Sequence, residues 1–163
     1  MKFYINMNKM FIEDNIYKII LQNTIIEAVD VLIINDKWQL LLWLRNNQPL
    51  KDISYIPWWR REKNEKLLDA VKRKMMEELW IDIDLKKLIF LWIYDDIFEN
   101  SMFENVSSHY SPITYVYHLN ELEQNNIRID AQHSDLKFFD LNDLTLHPMV
   151  KIRISDMNKL WII

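Results

Sequence analysis

The sequence contains no glycine in 163 residues, and it contains seven tryptophans. Glycine ordinarily supplies about 7% of a protein, so roughly 11 are expected in a chain of this length. Without them, every tight turn and helix end that needs a positive φ must force a residue with a β-carbon into the left-handed region. The tryptophans stand where that need arises. Trp38 follows "ND" between two apolar runs, Trp58 and Trp59 form a corner after Pro57, and Trp80 ends an amphipathic helix.

A chain this long can bury one sizeable core, and we expect a single domain over residues 1–163. Half of the residues are hydrophobic and 27% are charged, a composition that excludes disordered and collagen-like chains. A net charge of -4 argues against a nonspecific duplex-DNA binder, which needs a basic face to displace counterions. No nucleic acid is therefore expected as a partner. With no cysteine, neither a disulfide framework nor a thiolate metal site is available. The opening "MKFYINMNKMFIEDN" is too interrupted by polar residues for a signal peptide, and no apolar run approaches the roughly 20 residues of a membrane span. A cytoplasmic protein with no membrane partner is the expectation.

Apolar spacing at Met10, Phe11, Ile16, Ile19 and Ile20 predicts an opening helix over 9–22. "TIIEAVDVLII" and "QLLLWLR" are β-branched and aliphatic runs joined by "NDKW", which has hairpin chemistry. A polar loop whose Pro57 stops any strand leads to a helix over 65–79, capped by Asn64, with an apolar stripe at Leu68, Val71, Met75 and Leu79. Two further strands, "KKLIFLWIYDD" and "HYSPITYVYHL", flank an acidic, aromatic loop. The remainder is a polar connection, a strand "LKFFDL", a short helix capped by "NDL", and a terminal helix opened by Pro148. This order predicts an α+β fold with a mixed β-sheet sandwiched between α-helices.

One helix carries chemistry-bearing residues at a fixed spacing. After Trp59 come five residues, Glu65, seven residues, Arg73, Lys74, Met75, one residue, Glu77, Glu78, one residue, Trp80 and Ile81. A solvated face with Arg73 and Glu77 as an i,i+4 pair is the bland account. The spacing, however, resembles the Nudix box, in which glycine occupies the positions of Trp59 and Trp80 and a glutamate that of Lys74. Lys74 precedes Glu78 by one turn, so a cation replaces half of a carboxylate pair that could hold several Mg²⁺ ions.

From about residue 24 to 155 the chain further resembles the GDP-mannose mannosyl hydrolase branch of the Nudix family, through "VDVLIIND", "LLWLRNNQP", "PWWR", "HY" and "DAQHSDLKFF". The resemblance implies the Nudix fold and Mg²⁺-dependent hydrolysis of GDP-mannose, or a related GDP-hexose, to GDP and free sugar. It implies a Mg²⁺ bound by Glu78, Gln132 and the backbone carbonyl of Trp58, with His133 as general base for water attack at the anomeric carbon. Arg60 and Arg73 would neutralise the departing diphosphate, and Asp30, Arg45 and Tyr110 would bind substrate. A homodimer is also implied. Tyr55, Tyr94, Phe98 and Phe103 are either guanine-stacking or core residues. Two alternatives stay open: a Nudix pyrophosphatase cutting the P–O–P bond, and a catalytically inactive module that senses a nucleotide sugar.

The seven tryptophans then take on a common meaning, since Trp38, Trp43, Trp58, Trp59 and Trp80 match family glycines, and Trp92 and Trp161 suit glycine. Either a gene in which UGA encodes glycine was read with UGA as tryptophan, or the residues were placed deliberately. Isoleucine, asparagine and lysine together supply 52 residues and alanine 3, the mark of an AT-rich gene that favours the first explanation. TGG codons at the seven sites would exclude it.

Overall fold

The computed structural model describes residues 12–127 and 136–162. Gln132 and His133, and the Met10 and Phe11 end of the expected first helix, lie outside them. The elements run α1 (Asp14–Asn23), β1 (Ile26–Ile34), β2 (Gln39–Leu44), β3 (Ser54–Tyr55), β4 (Trp58–Arg60), α2 (Leu67–Leu79), a 3-10 turn (Leu85–Lys87), β5 (Ile89–Ile93), β6 (Asp96–Phe98), β7 (Ser108–His118), α3 (Glu121–Asn126), β8 (Leu136–Asp140) and α4 (Pro148–Lys159).

The eight strands among the described residues belong to one mixed sheet. Its main path is β3-β2-β1-β7-β5, with β4 on β1, β6 on β7 and β8 on β2. The centre is the parallel pair β1–β7, in register from Ile26 opposite Tyr110 to Ile34 opposite His118, and the other pairings are antiparallel. β1 is buried almost throughout, because helices cover both faces. Its odd residues Val29, Val31 and Ile33 pack with Val71, Met75 and Leu79 of α2. Its even residues Leu32 and Ile34 pack with Val150, Ile154 and Met157 of α4. The expected mixed sheet between helices is what the chain forms. No helix among the described residues is long and apolar enough to cross a membrane.

Several expectations change in detail. α1 begins at Asp14, and Ile16 and Ile19 are exposed, while Tyr17, Ile20 and Leu21 face the core. α2 begins at Leu67, not residue 65, and its N-cap is Lys66 without a side-chain bond. Asn64 instead takes a positive φ of 68° in a turn that the Glu65 amide closes onto the Glu62 carbonyl at 3.2 Å. The buried stripe is Ala70, Val71, Met75 and Leu79, with Leu68 exposed. Pro57 does not end strand structure. Short strands flank it, and its carbonyl accepts the Val31 amide at 3.3 Å, as suits a proline outside a central ladder. The expected helix after "NDL" is absent, because Asp143 accepts the Thr145 amide and hydroxyl at 2.8 and 2.7 Å and closes a turn.

Three tryptophans do occupy the left-handed region: Trp38 at φ 58°, Trp80 at 60° and Trp161 at 56°. Trp80 sits at the end of α2 and its amide closes onto the Met76 carbonyl at 3.1 Å, the geometry glycine provides without strain. Trp43, Trp58, Trp59 and Trp92 lie in strands, without a positive φ. Their backbone conformation does not demand glycine. At the three left-handed sites a β-carbon costs about 1 kcal/mol each, and the indoles are 52%, 57% and 93% exposed, so little burial offsets it. Glycine at Trp38, Trp80 and Trp161 together is expected to raise unfolding stability by about 2 to 3 kcal/mol, read as a higher urea midpoint. A lower midpoint would contradict the strain.

Candidate active site

The hairpin β1–β2, the short strand β4 and the C-terminal turn of α2 meet at an open cleft of about 400 Å³. Trp43, Leu44, Arg45, Asn46, Asn47, Trp58, Trp59 and Glu78 line it. Three predicted site residues thus share one cavity: Arg45, Trp58 and Glu78. Arg45 is held by its Nε donating to the Pro49 carbonyl at 2.8 Å, with its guanidinium carbon 4.9 Å from the centre of the Trp58 ring. Tyr110 packs against the same ring with centroids 4.5 Å apart, and burial pushes its hydroxyl above the usual tyrosine range.

Glu78 is half-buried and accepts from Lys74 Nζ at 3.2 Å, while the same ammonium lies 3.2 Å from Glu77. Lys74 therefore lies one helical turn before two consecutive carboxylates and contacts both. Among the described residues no three His, Cys, Asp or Glu side chains gather as a metal cluster. Glu78 and Trp58 both line the cleft, and a carboxylate is a donor type that suits Mg²⁺.

Arg73 is used differently from the expectation. Its Nε and Nη2 donate to Glu65 at 2.6 and 2.8 Å and its Nη1 to Glu77 at 3.3 Å. Those hydrogen bonds hold the Glu65 carboxyl below its ordinary range. A guanidinium already matched by two carboxylates has little charge left for a diphosphate. Arg73 therefore ties the approach loop to α2 and positions the helix. Arg60 is half-buried at the end of β4.

Asp30 is likewise placed away from the cleft. It is fully buried on the α4 side of β1, where its Oδ1 accepts the Thr114 hydroxyl at 2.6 Å and its Oδ2 accepts Arg153 Nε at 3.1 Å. Arg153 also donates Nη2 to Asp96 at 2.8 Å and Nη1 to the Met149 carbonyl at 3.2 Å, with its guanidinium 4.3 Å from the Tyr94 ring. The Tyr55 hydroxyl donates to Asp96 at 3.1 Å. Asp30 pairs in register with Trp58, and Asp96 with Tyr110. One buried arginine thus fastens the two strand pairings that carry the cleft floor. Sequence reasoning missed it, although the signal existed: Arg153 stands on the apolar stripe Val150, Ile154 and Met157 of α4. Tyr55 and Phe98 are buried in hydrophobic clusters, and Tyr94 and Phe103 pack half-buried against them.

Two carboxylates share that one cation in a site closed to water. Burial raises Asp30 to about 6, against the opposing pull of Arg153 and Thr114. A raised acid pKa means that the folded state binds the proton more tightly than the unfolded chain does. The contribution to stability is then greatest below the unfolded value of 3.8 and declines as pH rises toward 6. Asp30→Asn removes this titration, and urea midpoints between pH 4 and 7 should lose a downward slope worth roughly 3 kcal/mol. An unchanged slope would place the proton elsewhere.

Residues 24–158 match the NUDIX domain family. The chain belongs to the Nudix family. Among curated proteins it is 31% identical over 141 residues to the low-salt glycan biosynthesis protein Agl8 of Haloferax volcanii, with 86% of each chain covered. Among solved structures it is similar to a MutT NUDIX hydrolase from Burkholderia pseudomallei, with a TM-score of 0.64 and 23% identity over 80% of this chain and 96% of that one. It is also similar to the NUDIX domain of Shewanella oneidensis NrtR complexed with ADP ribose, with a TM-score of 0.63 and 18% identity over 92% and 99%.

Proposed function

We propose that the chain hydrolyses GDP-mannose, or a closely related GDP-hexose, to GDP and free sugar in the cytoplasm, by water attack at the anomeric carbon. The observation that carries this reading is Lys74 in contact with both Glu77 and Glu78. It leaves Glu78 as the one carboxylate among the residues lining the cleft, too few for a multi-metal attack on phosphorus. The likeness to a protein named for glycan biosynthesis points to a nucleotide sugar.

A single Mg²⁺, held by Glu78, Gln132 and the Trp58 carbonyl, would supply charge neutralisation to the diphosphate. His133 accepts a proton from water as the water oxygen bonds to the anomeric carbon, and the electron pair of the broken C–O bond leaves on GDP. Arg60 adds positive charge on the leaving-group side, and Arg45 and Tyr110 hold the substrate. Arg73 and Asp30 serve by positioning α2 and β4. Leu136, which follows His133 by three residues in the sequence, pairs with the cleft residue Trp43. Product analysis on a panel of nucleotide sugars tests the reading. GDP and free hexose are expected, GMP and sugar phosphate would establish a pyrophosphatase, and binding without turnover an inactive sensor.

A further inference from the structure

A second cavity, of about 490 Å³, opens where the loop 45–53 between β2 and β3 meets the end of β6 and the start of α4. Its volume falls in the range of about 300 to 1,000 Å³ typical of small-molecule sites. One loop serves both cavities. Asn46 and Asn47 line the cleft, and Gln48 and Lys51 line the second cavity. The loop is fixed by its own hydrogen bonds: the Arg45 amide donates to the Ile53 carbonyl at 3.0 Å, the Asp52 amide to the Arg45 carbonyl at 2.8 Å, and Arg45 Nε to the Pro49 carbonyl at 2.8 Å. Phe98, a wall of the second cavity, stands edge-on to the cleft residue Trp58 with ring centroids 5.9 Å apart. The two cavities are therefore neighbours. In the second, Glu99 supplies a carboxylate that only accepts and Lys51 an ammonium that only donates, and both residues are exposed. His147 adds a directed donor. The Met149 amide donates to its Nδ1 at 3.3 Å, which leaves the ring proton on Nε2, and burial lowers the imidazole below its ordinary pKa, so it is neutral near neutral pH.

We propose that this cavity takes the base of the nucleotide and selects guanine, with Glu99 as the specificity-determining residue; the inference rests on the reading of the substrate as a GDP-hexose. Guanine presents two adjacent donors on one edge, N1–H and the 2-amino group, and two acceptors, O6 and N7, on the next. A carboxylate accepts both donors in a charge-assisted fork, and the Lys51 ammonium or the His147 Nε2–H suits the acceptor edge. Adenine offers the opposite pattern. Its N1 is an acceptor, which repels a carboxylate, and its 6-amino group is a donor, which a cation cannot meet. Apolar walls from Leu50, Phe98 and Met149 suit the faces of a planar ring. The reach agrees with the proposed reaction. Arg45, which holds the substrate there, and Gln48 are three residues apart, at most about 10 Å of chain, a gap for the ribose between diphosphate and base.

The test is calorimetric binding of GDP, ADP and IDP, the last lacking only the 2-amino group of guanine, to the full chain and its variants. The unaltered chain is expected to bind GDP about ten- to a hundredfold more tightly than ADP, the worth of hydrogen bonds to a charged group, with IDP between them. Glu99→Ala should bring the three to about equal affinity without weakening ADP. Lys51→Met should weaken GDP and IDP more than ADP. A loss confined to guanine is not misfolding, which would weaken all three. Equal affinity for GDP and ADP in the unaltered chain would overturn the proposal, as would a guanine preference that survives Glu99→Ala, or no nucleotide binding at all. The base site and the proposed reaction fail separately. Release of free hexose from GDP-mannose with binding indifferent to Glu99→Ala refutes the base site alone, and a Glu99-dependent preference for GDP without release of hexose refutes the reaction alone.

Discussion

His133→Ala is expected to lower kcat on GDP-mannose by about a hundred- to ten-thousand-fold, the usual contribution of a positioned general base. The physical reason is the nucleophile. Water attacks an acetal carbon only as its proton is removed, and a neutral imidazole, with an ordinary pKa of about 6.5, is the side chain suited to take it near neutral pH. KM should change little, because the interaction lost belongs to the transition state. The pH dependence that a general base would give the rate should be missing from the variant. Added imidazole should restore part of the activity. A variant with full activity and the same pH profile would remove His133 from the chemistry.

Trp58→Gly is expected to raise turnover at least tenfold. The indole of Trp58 contacts Arg45, 4.9 Å from its ring centre, and Tyr110, 4.5 Å away, at the cleft proposed to admit a diphosphate. An Arg45 engaged with an indole is less free to meet a phosphate oxygen, and a bulky ring beside the Trp58 carbonyl crowds the position assigned to the metal. Glycine releases both. Trp59 behaves otherwise, for it is buried in the α2 core, edge-on to Trp43 at 6.2 Å. Its indole nitrogen is buried without a hydrogen-bond partner. Removing the ring leaves a cavity, partly offset by removing that orphaned donor, so Trp59→Gly alone should cost stability by about 2 kcal/mol. Turnover of Trp58→Gly that does not exceed that of the unaltered chain would count against crowding at the cleft.

Parts of the fold were legible because local chemistry and tertiary packing agree there. The turn at Trp38, the end of α2 at Trp80 and the start of α4 at Pro148 each follow from one residue's conformational demand, and the structure places all three as expected. β3 and β4 were not legible, since two or three residues flanking Pro57 show no periodicity and pair only because β1 and β2 offer them an edge. The beginning of α2 was misjudged because Glu65 prefers a bidentate bond with Arg73 to a place in the first helical turn. At the site, spacing along α2 located Glu78 and its Lys74 neighbour, and the cleft joins Glu78 to Trp58 and Arg45. Asp30 escaped correct placement because its partner Arg153 lies 123 residues away, a separation that no local pattern records.

The account rests on which bond breaks. Hydrolysis in ¹⁸O-labelled water with Mg²⁺ present, using protein with glycine at the seven tryptophan sites, reports this directly. Mass spectrometry of the products should find the label in the free hexose and none in GDP. Label in a phosphate group, with GMP or GDP as its carrier, would mean attack at phosphorus and would contradict the proposed chemistry.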